Sequence, residues 1–169
     1  MEDNEKYWNI LQQINDWVKY SETKASIILT VHGIIITVIY TNAGSVYEAL
    51  SNSDTLFYFT LAYALLCILS IFYSFRCVNP RLTNKNPKSI IYFGHIAKKF
   101  SDFQDYYSQS KTIIANPIEF EKQISEQIHV NSGIAWKKFV NVTWSLRFFI
   151  ASTTLLILSV LFYLLSNIK

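Results

Sequence analysis

Glycine is scarce in this 169-residue chain, at four residues, as are proline at three, cysteine at two and methionine at one. Four scattered glycines leave no phosphate cradle, and neither a Walker A loop nor a Gly-x-Gly-x-x-Gly turn occurs. Cys67 and Cys77 give neither a disulfide framework nor a paired metal motif, so both read as packing residues. His32, His95 and His129 fall on three separate elements without ligand spacing, which excludes a sequence-evident metal site. No Gly-x-Ser-x-Gly, His-Glu-x-x-His or other nucleophile-base-acid set is present. The chain therefore reads as a non-enzyme with no catalytic residues and no metal, and no nucleic-acid partner is expected.

Charge is missing in a more informative way. Residues 25–47, 55–75 and 148–168 contain no Asp, Glu, Lys or Arg, and each run is 21 to 23 residues long. About 20 apolar residues at a rise of 1.5 Å cross a hydrocarbon core of roughly 30 Å. A water-soluble helix would instead alternate apolar and polar faces with a period of 3.6. The expected fold class is an all-α integral membrane protein, three transmembrane helices with a cytoplasmic helical bundle between the second and third. The expected divisions are an amphipathic helix at 1–24, spans at 25–47, 55–76 and 147–168, and a cytoplasmic helical region at 77–146. A cleaved signal peptide is the competing reading of the first span, but a 24-residue segment of mixed charge is too long for an ordinary n-region.

What charge there is lies unevenly. Residues 1–24 carry Lys6, Lys19 and Lys24, the connection 42–54 carries no Lys or Arg, 76–147 carries eleven and the tail only Lys169. Cytoplasmic flanks are enriched in these residues, so the amino terminus and the large insertion are placed in the cytoplasm and the carboxyl terminus outside. The insertion holds eleven basic residues against Asp102, Asp105, Glu119, Glu121 and Glu126. That excess suits contact with anionic lipid, or a phosphate-bearing ligand.

In the amino-terminal segment, Tyr7, Ile10, Leu11, Ile14, Trp17, Val18 and Ser21 recur at helical spacing, and no Pro or Gly separates them from the first span. The stripe needs a partner, either the last helix of the chain or the membrane surface. Pro80 should end the second span's helix. Asn86-Pro87 then reads as an N-cap with a first-turn proline, opening a single helix with Ile90, Phe93, Ala97, Phe100, Phe103 and Tyr107 on one face. Asn116-Pro117 opens another, with Glu119 and Glu121 in its first turn, that runs directly into the third span. Gly133 is the place for a bend. His32, eight residues into the first span, is either a neutral imidazole bonded within the bundle or a functional group. Gly33 beside it suits close helix approach and oligomerisation.

Several short strings, in order and at this span spacing, resemble one family. They are Glu22-Thr23-Lys24-Ala25-Ser26 entering the first span with Gly33 inside it, and Asn79-Pro80-Arg81 after the second. Ser89 through Ala97 (Ser-Ile-Ile-Tyr-Phe-Gly-His-Ile-Ala) and Gln127 with Ile134-Ala135-Trp136-Lys137-Lys138-Phe139 complete the set. The chain resembles, over nearly its whole length, the membrane-spanning effectors of the Pycsar antiphage systems. Glu22 stands where members often have Asp, and Phe139 where they often have Tyr.

The resemblance implies an effector in the bacterial inner membrane, activated by cyclic CMP or cyclic UMP from an adjacent pyrimidine nucleotide cyclase, that breaks membrane integrity in abortive infection. The cyclic nucleotide would be an activating ligand, and no other cofactor is implied. The further partners expected are membrane lipids and other copies of the chain in a homo-oligomer. A cyclic nucleotide calls for a cation and a stacking or amide partner. Arg81, Lys88, Tyr92, Gln127 and Lys138 are the candidate ligand-binding residues, and Glu22 and Lys24 the candidate coupling residues at the membrane mouth. Two alternatives share the composition: a constitutive, holin-like pore and a non-catalytic membrane adaptor.

Overall fold

The structure is a computed structural model describing residues 2–79 and 88–167. Among these residues it is all helical, in the order α1 (Glu2–Thr41), α2 (Ala43–Ser51), α3 (Asp54–Val78), α4 (Phe93–Lys99), α5 (Phe103–Ile114) and α6 (Pro117–Asn167). Three helices are long and apolar enough to cross a membrane, over Glu5–Thr41, Asp54–Val78 and Pro117–Ser166. The chain divides into two compact units, the first made of 1–19 and 80–137 and the second of 20–79 and 138–169. α1 and α6 contribute to both.

In the second unit α1, α3 and α6 pack through a seam unlike that of a soluble bundle. The buried positions of α3 are Leu56, Tyr63, Cys67, Ser70, Ser74 and Cys77, and from Tyr63 on they recur every three or four residues. Leu65, Ile68, Phe72 and Phe75 point outward and are at least half exposed. Small and polar side chains inside with large apolar ones outside is the arrangement of helices solvated by lipid, where close approach and interhelical hydrogen bonds replace the hydrophobic effect as glue. Ala25, Ile28, Cys77 and Val142 form the small apolar cluster, with Val78 and Phe149 against it.

The first charge-free run is divided between two helices. Thr41 Oγ1 and Asn42 Nδ2 both donate to the Val38 carbonyl, at 3.0 and 2.9 Å, and these local bonds compete with continuation of the helix. α2 starts at Ala43 and packs on α3, whose N-cap Ser53 accepts from the Leu56 amide at 3.4 Å.

In the first unit the helix expected to start at Asn86-Pro87 differs from the reading of the sequence. Pro80, Asn86 and Pro87 lie outside the described residues, 88–92 is not helical, and the expected single stripe is split between α4 and α5. The break falls at 100–102 because Asp102 caps α5, its Oδ1 accepting from the Asp105 amide at 2.9 Å. α6 starts at Pro117 with Asn116 Oδ1 accepting from the Glu119 amide at 3.4 Å, and runs unbroken through Gly133. Of the amino-terminal stripe, Leu11 and Ser21 are buried, whereas Ile10 and Trp17 are exposed; the ring contact with α6 is made by Trp8, outside the stripe, 6.4 Å from Phe120.

Candidate functional site

The non-helical stretch 88–92 owes its shape to side chains that replace a helix ladder. Ser89 Oγ accepts from the amides of Ile91 and Tyr92 at 3.2 and 3.3 Å. The Ile90 amide donates to Gln123 Oε1 at 3.0 Å, and Tyr106 Oη donates to the Ile90 carbonyl at 3.3 Å. His95 Nδ1 accepts the Ser89 amide at 3.2 Å, so the proton of the neutral ring sits on Nε2. Burial, helped by the Lys99 charge, holds the His95 pKa below its ordinary value. A segment whose four amides from Ser89 to Tyr92 are each met in this way is fixed without being regular.

The fixed stretch presents Tyr92 to a cavity of about 330 Å³ in the first unit. Its polar wall is a row of three amides: Gln127 Nε2 donates to Asn131 Oδ1 at 2.8 Å, and Asn131 Nδ2 donates to Asn15 Oδ1 at 2.7 Å. Tyr92, Phe93 and Ile134 supply the aromatic and apolar wall. Gly94 lies beneath it, and a Cβ there would stand 2.8 Å from Tyr92 Cε1, so the ring would have to shift. Each amide retains donor and acceptor capacity beyond the bonds of the row, so the wall can meet both kinds of group on a planar heterocycle. The volume is at the small end of the range for ligand pockets, about 300–1,000 Å³.

Of the candidate ligand-binding residues, the structure brings Tyr92 and Gln127 to this cavity. Lys88 is elsewhere engaged: its ammonium is 3.1 Å from Asp105 Oδ2 and lies 3.9 Å from the centroid of the Phe100 ring. That hydrogen bond, with the Ser101 amide, the Gln109 amide group and the Lys88 charge, holds the Asp105 carboxyl below the ordinary carboxylate range. Arg81 lies outside the described residues.

Lys138 belongs to the second unit and is not at the cavity. Its ammonium, 3% exposed, is 2.8 Å from Glu22 Oε1 and donates to the carbonyls of Cys77 and Asn79, the latter at 3.4 Å. Those carbonyls lie at the end of α3, where intrahelical partners run out. Lys138 on α6 thus clamps α1 to the end of α3, and all its donors are used. Glu22 is half of this clamp, whereas Lys24 rests over the Tyr20 ring at 4.2 Å. Asn141 Nδ2 adds a bond to the Arg76 carbonyl at 3.4 Å.

Inside the second unit His32 is a bonded member of the bundle, its Nε2 2.9 Å from Ser70 Oγ and its Nδ1 3.3 Å from Cys67 Sγ, with Phe149 edge-on at 5.2 Å. Both cysteines are buried and neither is in a disulfide. No group of His, Cys, Asp and Glu able to hold a metal occurs among the described residues. Asn15, a wall residue of the cavity, gave no signal in the sequence, where it looks like one more polar residue on the outer face of an amphipathic helix.

A three-span helical membrane protein with a ligand-sized, amide-walled cavity in a separate unit is the class that these features define. The profile of the Pycsar effector protein domain, PycTM, matches residues 6–165, and the chain belongs to that family. It is similar to the Pycsar effector protein PtPycTM of Propioniciclava tarda, with 25% identity over 138 residues that cover 79% of this chain. The match spans 66% of the relative's own length, slightly under two thirds. No solved structure matches.

Proposed function

We propose that this protein is an antiphage effector that is activated by cyclic CMP or cyclic UMP and then impairs the integrity of the bacterial inner membrane, killing the infected cell. It acts without catalysis, and a pyrimidine nucleotide cyclase is its partner through the diffusible product alone. The amino terminus and the first unit face the cytoplasm, as the Lys and Arg distribution favours. Anionic lipid and further copies of the chain complete the working assembly.

The observation that carries this reading is the cavity of the first unit. A pyrimidine fits its modest volume, Tyr92 offers an aromatic face for stacking, and the amide row offers paired donors and acceptors for a base edge. An amide turned over exchanges donor for acceptor, so the same row can meet cytosine or uracil. Among the described residues the cavity wall contributes no cation; Arg81 and, if it exchanges Asp105 for the ligand, Lys88 are our candidates for the cyclic phosphate. Binding that favours one arrangement of α1 and α6 transmits to the Glu22–Lys138 clamp, because both helices continue into the second unit.

The test is the membrane potential of proteoliposomes holding the purified chain, followed with a potential-sensitive dye while cyclic CMP, UMP, AMP and GMP are added separately. Collapse on addition of a pyrimidine nucleotide alone supports the reading. Collapse with no nucleotide present, or a stable potential with all four, contradicts it.

A further inference from the structure

The face that α3 and α6 share in the second unit carries two exposed arginines joined by aromatic rings. The Arg76 guanidinium carbon lies 5.7 Å from the centroid of the Phe72 ring, and that of Arg147 lies 4.9 Å from the Trp144 ring. Between them, Phe72 meets Tyr73 at 5.6 Å and Tyr73 stacks on Trp144 at 6.4 Å. Phe148 lies against both, 5.7 Å from Tyr73 and 5.9 Å from Trp144. From this ladder we infer a binding site for an anionic phospholipid, its headgroup taken by the two arginines and its acyl chains lying along the rings.

Snorkelling does not account for Arg76. A cation at the end of a span normally extends past that end toward water. Arg76 stands in the last turn of α3 and instead lies back over Phe72, one turn into the charge-free run. The directions of the helices explain this. Each Cα–Cβ bond tilts toward the N-terminus of its helix, and α3 and α6 run antiparallel, as the Phe59–Phe162 and Tyr73–Phe148 ring contacts show. Arg76 and Arg147 therefore lean in opposite directions along the bundle, and both guanidiniums come to the level of Tyr73 and Trp144. Tyrosine and tryptophan on a lipid-facing surface are the residues of headgroup depth.

Neither arginine is engaged within the chain. Among the described residues neither guanidinium has a hydrogen bond or an ion pair, and both side chains are exposed. The acidic residues of the second unit are Glu22, Glu48 and Asp54. Glu22 is held by Lys138, Asp54 opens α3 roughly 33 Å from Arg76 along the axis, and Glu48 lies on α2 before it. A phosphate is the group that answers a guanidinium with paired, charge-assisted hydrogen bonds. The surroundings indicate its source: Leu146 and Ile150, on either side of Arg147, are exposed apolar residues of a span, so a phosphate reaching this arginine is carried by a lipid. The site is also shared between helices, with Phe72 and Tyr73 from α3 and Trp144 and Phe148 from α6. A displacement of α6 against α3 parts the rings and the arginines, so a lipid seated here opposes the displacement or is drawn with it.

The inference rests on the reading of the second unit as membrane-spanning and names the lipid contact through which its helices act on the bilayer. The experiment is native mass spectrometry of the purified full chain in a neutral detergent, titrated with phosphatidylglycerol or phosphatidylcholine. No nucleotide is present, so the nucleotide reading is scored separately. The chain is expected to hold phosphatidylglycerol at least fivefold more tightly than phosphatidylcholine. Arg76→Gln and Arg147→Gln each lower that affinity at least fivefold, as does Trp144→Leu, which changes no charge but breaks the ladder. Lys111→Gln, on α5 of the first unit, also removes one charge and binds as wild type. Inorganic phosphate in large excess leaves the lipid bound. Flotation of each variant with vesicles separates loss of the site from loss of membrane insertion, and a wild type that does not float contradicts the spanning reading itself. Equal affinity for the two lipids, unchanged binding by both arginine variants, a loss in Lys111→Gln as large as in Arg147→Gln, or displacement by inorganic phosphate would each overturn the site.

Discussion

The Lys138 clamp sets a sharp energetic expectation. The ammonium is almost fully buried while Glu22 remains 39% exposed, so the two partners are not equivalent. Glu22→Ala leaves a buried ammonium with only the Cys77 and Asn79 carbonyls, and loss of one partner from a buried pair costs about 3–5 kcal/mol. Lys138→Met keeps most of the aliphatic packing and removes the buried charge. The Glu22 carboxylate then rehydrates, and the two carbonyls lose a partner at about 1–3 kcal/mol in all. The double variant has no stranded ammonium, so its cost falls below the sum by more than about 1 kcal/mol. The assay is thermal unfolding in detergent micelles followed by circular dichroism, with Tm shifts of about 6–20 °C for Glu22→Ala and 2–12 °C for Lys138→Met. Additivity within about 0.5 kcal/mol would refute the clamp, as would a Lys138→Met protein of unchanged stability that had lost only nucleotide affinity.

Three further expectations follow from the first unit. Gly94→Ala pushes the Tyr92 ring out of place; because the clash is with the far end of a side chain, stability falls by only about 1 kcal/mol while calorimetric affinity for the cyclic nucleotide falls at least tenfold. His95 titrates below its ordinary value when folded, so the unfolded chain binds more protons; stability is full above about pH 6.5 and declines as pH falls below it. His95→Asn, whose carbonyl oxygen can still accept the Ser89 amide, should flatten that decline in unfolding curves taken between pH 5 and 7. The Asp105 contribution is present above about pH 3.9 and is lost as pH falls through its lowered folded value, a second acid step that Asp105→Asn should remove.

The spans were legible because absence of charge over 20 residues survives any averaging, and the start of α6 because Asn116 and Pro117 are local signals. The break between α4 and α5 was hidden by the apolar spacing of Phe100, Phe103 and Tyr107, which fits one helix as well as two and gives no weight to the Asp102 cap. The polar seam was invisible for a related reason: Ser70, Ser74 and Ser145 barely lower the hydropathy of their windows, and only packing shows that they share a face with His32. Tyr92 and Gln127 could be picked for their chemistry and are brought to one cavity, whereas Asn15 could not, since its partner Asn131 is 116 positions away. Lys138 illustrates the converse. A lysine beside a span reads as a lipid or phosphate contact, and nothing short of its Glu22 and carbonyl partners reveals an internal clamp.

The claim on which the account depends is that the amide-walled cavity of the first unit receives the activating nucleotide. Isothermal titration of the purified protein with cyclic CMP, UMP, AMP and GMP, repeated on Gln127→Ala and Asn131→Ala, tests it directly. The account predicts heat for a pyrimidine nucleotide alone and at least a tenfold weaker Kd in both variants. Equal affinity of the variants and the wild type, or no binding of any of the four, would contradict it.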